Sequence, residues 1–137
     1  MRPAGFENAQ GILTAVYVKD PTDPQFAKDP DMIAWNEFMD KYYAAGDKKS
    51  LFPALAYAVS STLLEVLKRA GDNLTRENVM KQAASLKDVE IPLLLPGIKI
   101  NTSPTDFYPI QSAQMARFKG ETFELFGDVL SAEAGSQ

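Results

Sequence analysis

Chemistry in this chain could start at its one acidic cluster, Asp20, Asp23, Asp29 and Asp31. Paired carboxylates can exchange protons with a substrate without help from histidine. Grouped in a loop, they can also hold a hard cation. The spacing here does not match the D-x-[DN]-x-[DN]-G calcium loop, and no glycine stands where such a loop turns sharply. Local duty accounts for the cluster. Asp20, Asp23 and Asp29 each precede a proline, and the residue before proline avoids the α region, so the stretch reads as turns and a helix cap.

The rest of the catalytic repertoire is missing. The chain contains no His and no Cys, which excludes Ser-His-Asp and Cys-His nucleophiles and the usual zinc, iron–sulfur and haem ligand sets. Neither G-x-G-x-x-G nor G-x-x-x-x-G-K-[ST] occurs, so no phosphate-cradling loop is expected. The expectation is a protein that is not an enzyme, with no catalytic residues, no metal ligands and no cofactor. Without cysteine, the chain gives no redox sign of its compartment. Fourteen basic residues against 18 acidic give a net charge of −4, which leaves no basic footprint for nucleic acid or an anionic membrane.

A length of 137 residues suits one ordinary domain with a real core. Residues 11–18, Gly-Ile-Leu-Thr-Ala-Val-Tyr-Val, are β-branched, aromatic and nearly continuously apolar, the pattern of a strand buried on both faces. Asp29 as N-cap and Pro30 at the first position open a helix over 30–44. Its stripe is Met32, Trp35, Met39 and Tyr42–Tyr43, with Trp35 and the two tyrosines expected in the core and Gly46 as the stop. The clearest helix covers 51–70. Leu55, Val59, Leu63, Val66, Leu67 and Ala70 trace one face, and Phe52, Ala56 and Tyr57 extend it. Lys68 and Arg69 suit its C-terminal dipole, and Gly71 follows. Thr75 caps a third helix over 75–86.

Beyond Asp88, prolines divide short apolar pieces. Residues 98–100 are expected as a short strand and 101–106 as a turn. A hairpin is expected from 108–118 and 122–126 around Gly120, and residues 131–137 as a disordered tail. The first residues carry no apolar leader. The run 91–96 is broken by two prolines and is far short of the ~20 residues that span a bilayer, so no targeting or membrane segment is expected.

Three blocks carry a family resemblance. They are GILTAVYVKDPTDP from Gly11, DNLTRENVMKQAASLK from Asp72, and LLLPGIKINTSPTDFYPI from Leu93. In this order the chain resembles the C-terminal part of the periplasmic solute-binding proteins of ABC transporters. The subgroup is the branched-chain (hydrophobic) amino-acid type, with the type I periplasmic binding protein fold. The resemblance implies an α/β protein that is somewhat more than the last third of a longer, exported receptor, its signal peptide lying upstream. It implies two lobes closing over a small hydrophobic or aromatic amino acid or related carboxylic acid, delivered to ABC permease subunits. Residues 1–47 would end the second lobe and begin a crossover, 51–100 would belong to the first lobe, and 108–128 would return to the second as the hairpin. The family places an aromatic at the start of the helix that re-enters the first lobe, on the cleft wall. Phe52, five residues before Tyr57, matches it, with Leu51 and Pro53 as neighbours. The first core residue of an amphipathic helix is an equal reading of Phe52. Much of the sheet under residues 51–70 would come from upstream sequence. Taken alone, the chain is therefore expected to be a homo-oligomer or domain-swapped dimer, and a truncated, self-associating product without ligand is the alternative to a receptor segment.

Overall fold

The computed structural model describes residues 5–131. The main elements follow in order: β1 (Leu13–Val16), α1 (Pro30–Tyr42), α2 (Leu51–Ala70), α3 (Arg76–Ala83), β2 (Ser112–Lys119) and β3 (Thr122–Ser131). Short 3₁₀ turns cover Glu7–Ala9 and Pro24–Phe26.

Each α-helix starts where a short polar side chain can take up free backbone N–H groups. Asp29 accepts from Asp31 and Met32, Ser50 from Phe52, and Thr75 from Asn78. Pro53 falls in the first turn of α2, where its missing N–H leaves no gap in the ladder. At the other end Gly71 adopts φ 57° and donates to Leu67 and Lys68. α1 stops at Tyr42 and not at 44. Met32, Trp35 and Met39 are buried, but Tyr42 and Tyr43 lie exposed, so the core stripe of α1 is shorter than its aromatic pattern. α3 ends at Ala83, short of Leu86, although Leu86 is still buried.

The three strands form one antiparallel sheet in the order β1-β2-β3. β2 and β3 are the expected hairpin, moved along the chain: it begins at Ser112, not 108, and continues to Ser131. Only the first residue of its two-residue turn, Gly120, has positive φ (66°), as a type II′ turn requires. The register shifts beside Gln114, where Gly127 turns at φ 68° and its carbonyl accepts from Gln114 Nε2 at 2.8 Å. Ser131 thus closes a strand, and the rest of the expected tail, 132–137, lies outside the described residues.

β1 corrects the sequence expectation. It covers four residues and lies at a sheet edge, with Leu13 and Ala15 exposed and Thr14 and Val16 half-buried. Apolar composition alone cannot distinguish a two-sided buried strand from an edge strand whose faces are left open. Downstream, the chain changes partner: Lys19 N–H donates to Leu93 O at 2.8 Å, and Leu95 N–H to Tyr17 O at 2.9 Å. Residues 98–100 likewise form no strand. Ile100 makes a single two-bond bridge with Val89 (3.1 and 2.9 Å).

This irregular segment is the centre of the core. Val89, Ile91, Leu94, Leu95, Ile98 and Ile100 pack with Val18, Ala58, Val66 and Leu86. Leu93 points the other way, into a second cluster of Met32, Trp35, Met39 and Ala54. It is fully buried and sits at φ 67°, a left-handed conformation that costs a non-glycine residue about 1–3 kcal/mol. Complete burial of a leucine side chain, worth about 1.5–3 kcal/mol, offsets it.

One ion cluster fastens these layers. Lys19, 5% exposed, donates to Asp29 (2.9 and 2.8 Å) and to Asp31 (2.9 Å), joining the end of the first strand segment to the N-terminus of α1. Burial works against the Lys19 charge, but its hydrogen bonds and attraction to the two aspartates prevail and raise its pKa above 10.5. Burial likewise raises the Asp29 pKa, yet the Lys19 bond and the helix N–H groups outweigh it and lower it below 3.8. The Asp29 contribution is therefore complete above pH 3.8 and is lost as pH falls through the lower folded value. Lys19→Met should cost about 2 kcal/mol near neutral pH, and the gap from wild type should narrow under acid. Urea denaturation from pH 7 to pH 3 measures both, and a pH-independent gap would contradict the assignment.

Candidate functional site

The aspartates of the sequence cluster do local work. Asp20 accepts from the Thr22 N–H and hydroxyl, Asp23 from the Gln25 N–H, and Asp29 caps α1. Asp31 pairs with Lys19. Asp31 also borders a polar recess of about 280 Å³ with Glu90, and Asp23 one of about 460 Å³ with Glu124, but lysines share both linings, Lys19 and Lys99 in the first and Lys119 in the second. The mainly apolar, ligand-sized spaces among the described residues lie along the two flanks of α2.

The first is a groove of about 370 Å³ between α2, α3 and the segment 107–110. Leu55, Val59, Leu63 and Val66 form one wall, Met80 and Ala83 another, and Phe107 and Ile110 the end. Its two hydroxyls are already engaged: Thr62 donates to Ala58 O at 3.0 Å, and Thr102 donates to Ala83 O at 2.7 Å while accepting from the Leu86 N–H. No charged residue lines it. A groove with no free polar partner suits only an apolar occupant, since a charged head group would be stripped of water without compensation.

The second is a pocket of about 630 Å³ between α1 and the N-terminal half of α2. Phe38, Tyr43, Phe52 and Tyr57 supply four aromatic walls, and Met39, Ser60, Ser61 and Leu64 add to the lining. The Phe38 ring lies 5.1 Å from that of Tyr57 and 5.0 Å from that of Tyr42.

Of the residues expected on the cleft wall, Phe52 and Pro53 line this pocket and Leu51 does not. Phe52 is 81% exposed, so within the described chain it is not a core residue. Leu51 is 49% exposed on the same turn. Sequence reasoning missed Phe38, Tyr43 and Tyr57 as neighbours of Phe52. The helical spacing of Tyr43 reads as a core position, and no spacing within one helix reveals a pocket that needs two.

Along both spaces, α2 itself is unusual. Residues 51–64 carry no charge, yet Val59, Leu63 and Leu64 are each more than half exposed. By length and composition α2 is apolar enough to cross a membrane, a test that core helices also pass. The longest charge-free apolar stretch of the described chain is thus in α2 and not at 91–96.

No protein-family model and no curated protein matches the chain. Its fold is similar to that of a branched chain amino acid ABC transporter from Thermus thermophilus solved with bound valine, with a TM-score of 0.64 and 16% identity. The match covers 93% of this chain and 35% of that one, so the chain spans about a third of its structural neighbour. The mixed α/β fold expected from the sequence is the fold observed over that length. If Phe52 is a surface aromatic, Phe52→Ala should change stability by less than about 0.5 kcal/mol. Leu93→Ala should cost about 3 kcal/mol. Thermal melts of the two variants check the contrast.

Proposed function

We propose that this chain is the C-terminal segment of a two-lobe solute-binding receptor and not an enzyme. The receptor takes a small hydrophobic or aromatic amino acid, or a related carboxylic acid, and delivers it to ABC permease subunits from the periplasm. On this reading residues 1–47 end the second lobe and begin the crossover, 51–100 belong to the first, and 108–128 return to the second. Phe52 and Pro53 face the solute, with Leu51 beside them. The observation that carries the reading is the structural likeness over 93% of this chain to a valine-bound transporter component. The exposure of Phe52 at the head of α2 is consistent with it.

Covering protein is part of the same proposal. The groove beside α2 accepts only apolar side chains, and Val59, Leu63 and Leu67 stay exposed along the helix, an apolar face of the kind that marks a contact site. In the receptor the cover is the remaining lobe structure. In the isolated chain it is a second copy, as a homo-oligomer or a domain-swapped dimer. The charge-free, exposed run of α2 also favours a second reading, in which the chain associates with itself and binds no solute.

Native mass spectrometry of the purified chain tests both. The receptor reading expects a dimer or larger assembly that retains an amino acid or small carboxylic acid and loses it on Phe52→Ala without dissociating. An assembly that never holds a solute, even with valine or phenylalanine added in excess, supports the second reading. A solute-free monomer contradicts both. Leu63→Glu, which places a charge on the groove wall, should release monomers in either case.

A further inference from the structure

The pocket between α1 and α2 has walls that specify more than apolarity. We infer that it is a subsite for an uncharged aromatic ring, built by Phe38, Tyr43, Phe52 and Tyr57, with Gly46 fixing the position of Tyr43. The inference rests on the reading of Phe52 as a ligand-facing residue and adds to it the ring class, three further walls and the glycine that positions one of them.

The volume of about 630 Å³ falls within the usual range for small-molecule sites. No charged side chain lines the pocket, so the charged end of an amino or carboxylic acid stays outside it. Four of the walls are rings, and rings are favoured partners for a ring through offset and edge-to-face contacts. Phe38 is held on both sides by its contacts with Tyr42 and Tyr57. The groove on the other flank of α2 has one aromatic, Phe107, among its walls, and presents aliphatic side chains instead.

Tyr43 is also held. It follows the last turn of α1, and its backbone carbonyl accepts from Gly46 N–H at 2.8 Å. A Cβ at Gly46 would come within 3 Å of the Tyr43 ring and of Met39 Cε, closer than real Cβ atoms approach. The ring therefore packs on the bare Cα of Gly46, and any side chain there must displace Tyr43 or Met39. Gly46 is a positioning residue: it touches no ligand and sets where one wall stands.

Methionine methyl groups mark the two flanks of α2 separately. Met39 lines the aromatic pocket and Met80 the aliphatic groove. The experiment is a titration of the full chain with p-cresol, followed by NMR of ¹³C-labelled methionine methyls, with valine as a second probe. The expected result is a saturable shift of the Met39 methyl with Met80 unmoved, and weaker binding of valine at the same methyl. Tyr43→Ala and Phe38→Ala should each weaken p-cresol by about fivefold. Gly46→Ala should weaken it comparably, but add little once Tyr43 is already alanine, a non-additivity that general destabilisation would not give. A response only at Met80, a shift that never saturates, or affinity unchanged in both Tyr43→Ala and Phe38→Ala would overturn the subsite. If Phe52→Ala alone leaves p-cresol affinity unchanged, the subsite stands on its other walls and the ligand-facing reading of Phe52 fails.

Discussion

The rest of this structure turns on the apolar surface that α2 leaves exposed. The helix has three charged residues, Glu65, Lys68 and Arg69, all in its last two turns. Its first fourteen residues have none. Such a helix is ordinarily buried on most sides. Here its small residues do the burying: Ala54 and Ala58 are almost wholly enclosed, with Val66 and Ala70 further along, while Val59, Leu63 and Leu64 face outward. Small side chains let neighbouring backbone approach closely on one side. The larger ones leave over half of their surface wet, each forgoing about 1 kcal/mol of the ~1.5–3 that full burial contributes. Against the ~5–15 kcal/mol of a domain's net stability, several such residues decide whether the chain remains alone.

On the buried side the partner of α2 is largely irregular chain. The segment from Val89 to Ile100 supplies much of the main core without forming a named strand. Its backbone groups are satisfied singly, by Tyr17, Lys19 and Val89 and by its own turns. That arrangement needs fixed anchors, and the structure provides two. Leu93 accepts a left-handed backbone to fill the second cluster, and Lys19 ties the adjacent segment to the cap of α1. The same Asp29 carboxylate therefore starts a helix and holds an ammonium group. Loss of its charge would loosen both.

Much of this was legible in the sequence where the determining interactions are local. Asp29, Pro30, Thr75 and Gly71 mark helix ends through bonds to residues a few positions away, and the bounds of α2 follow from its periodicity and flanks. Gly120 announces the hairpin because only a residue tolerant of positive φ suits that turn. What was not legible depends on distant partners. Residues 11–18 look equally apolar whether their faces are covered or open, and edge placement is decided by β2, about a hundred residues on. Lys19 gives no sign that it pairs with Asp29 and Asp31 across a loop. Phe52 is visible as a candidate, but the pocket around it joins the end of α1 to the start of α2 through Tyr43 and Gly46, which read as the end of a helix stripe and its stop, and through Phe38, which lies off that stripe.

The central claim is that another protein surface completes α2. Amide hydrogen exchange along that helix, measured on the full chain over a wide range of protein concentration, tests it most directly. Amides of residues 55–67 should become more protected as concentration rises, while those of the β2–β3 hairpin change much less. Protection of α2 that is high and equal at every concentration would show that the chain closes its own core, and would contradict the account.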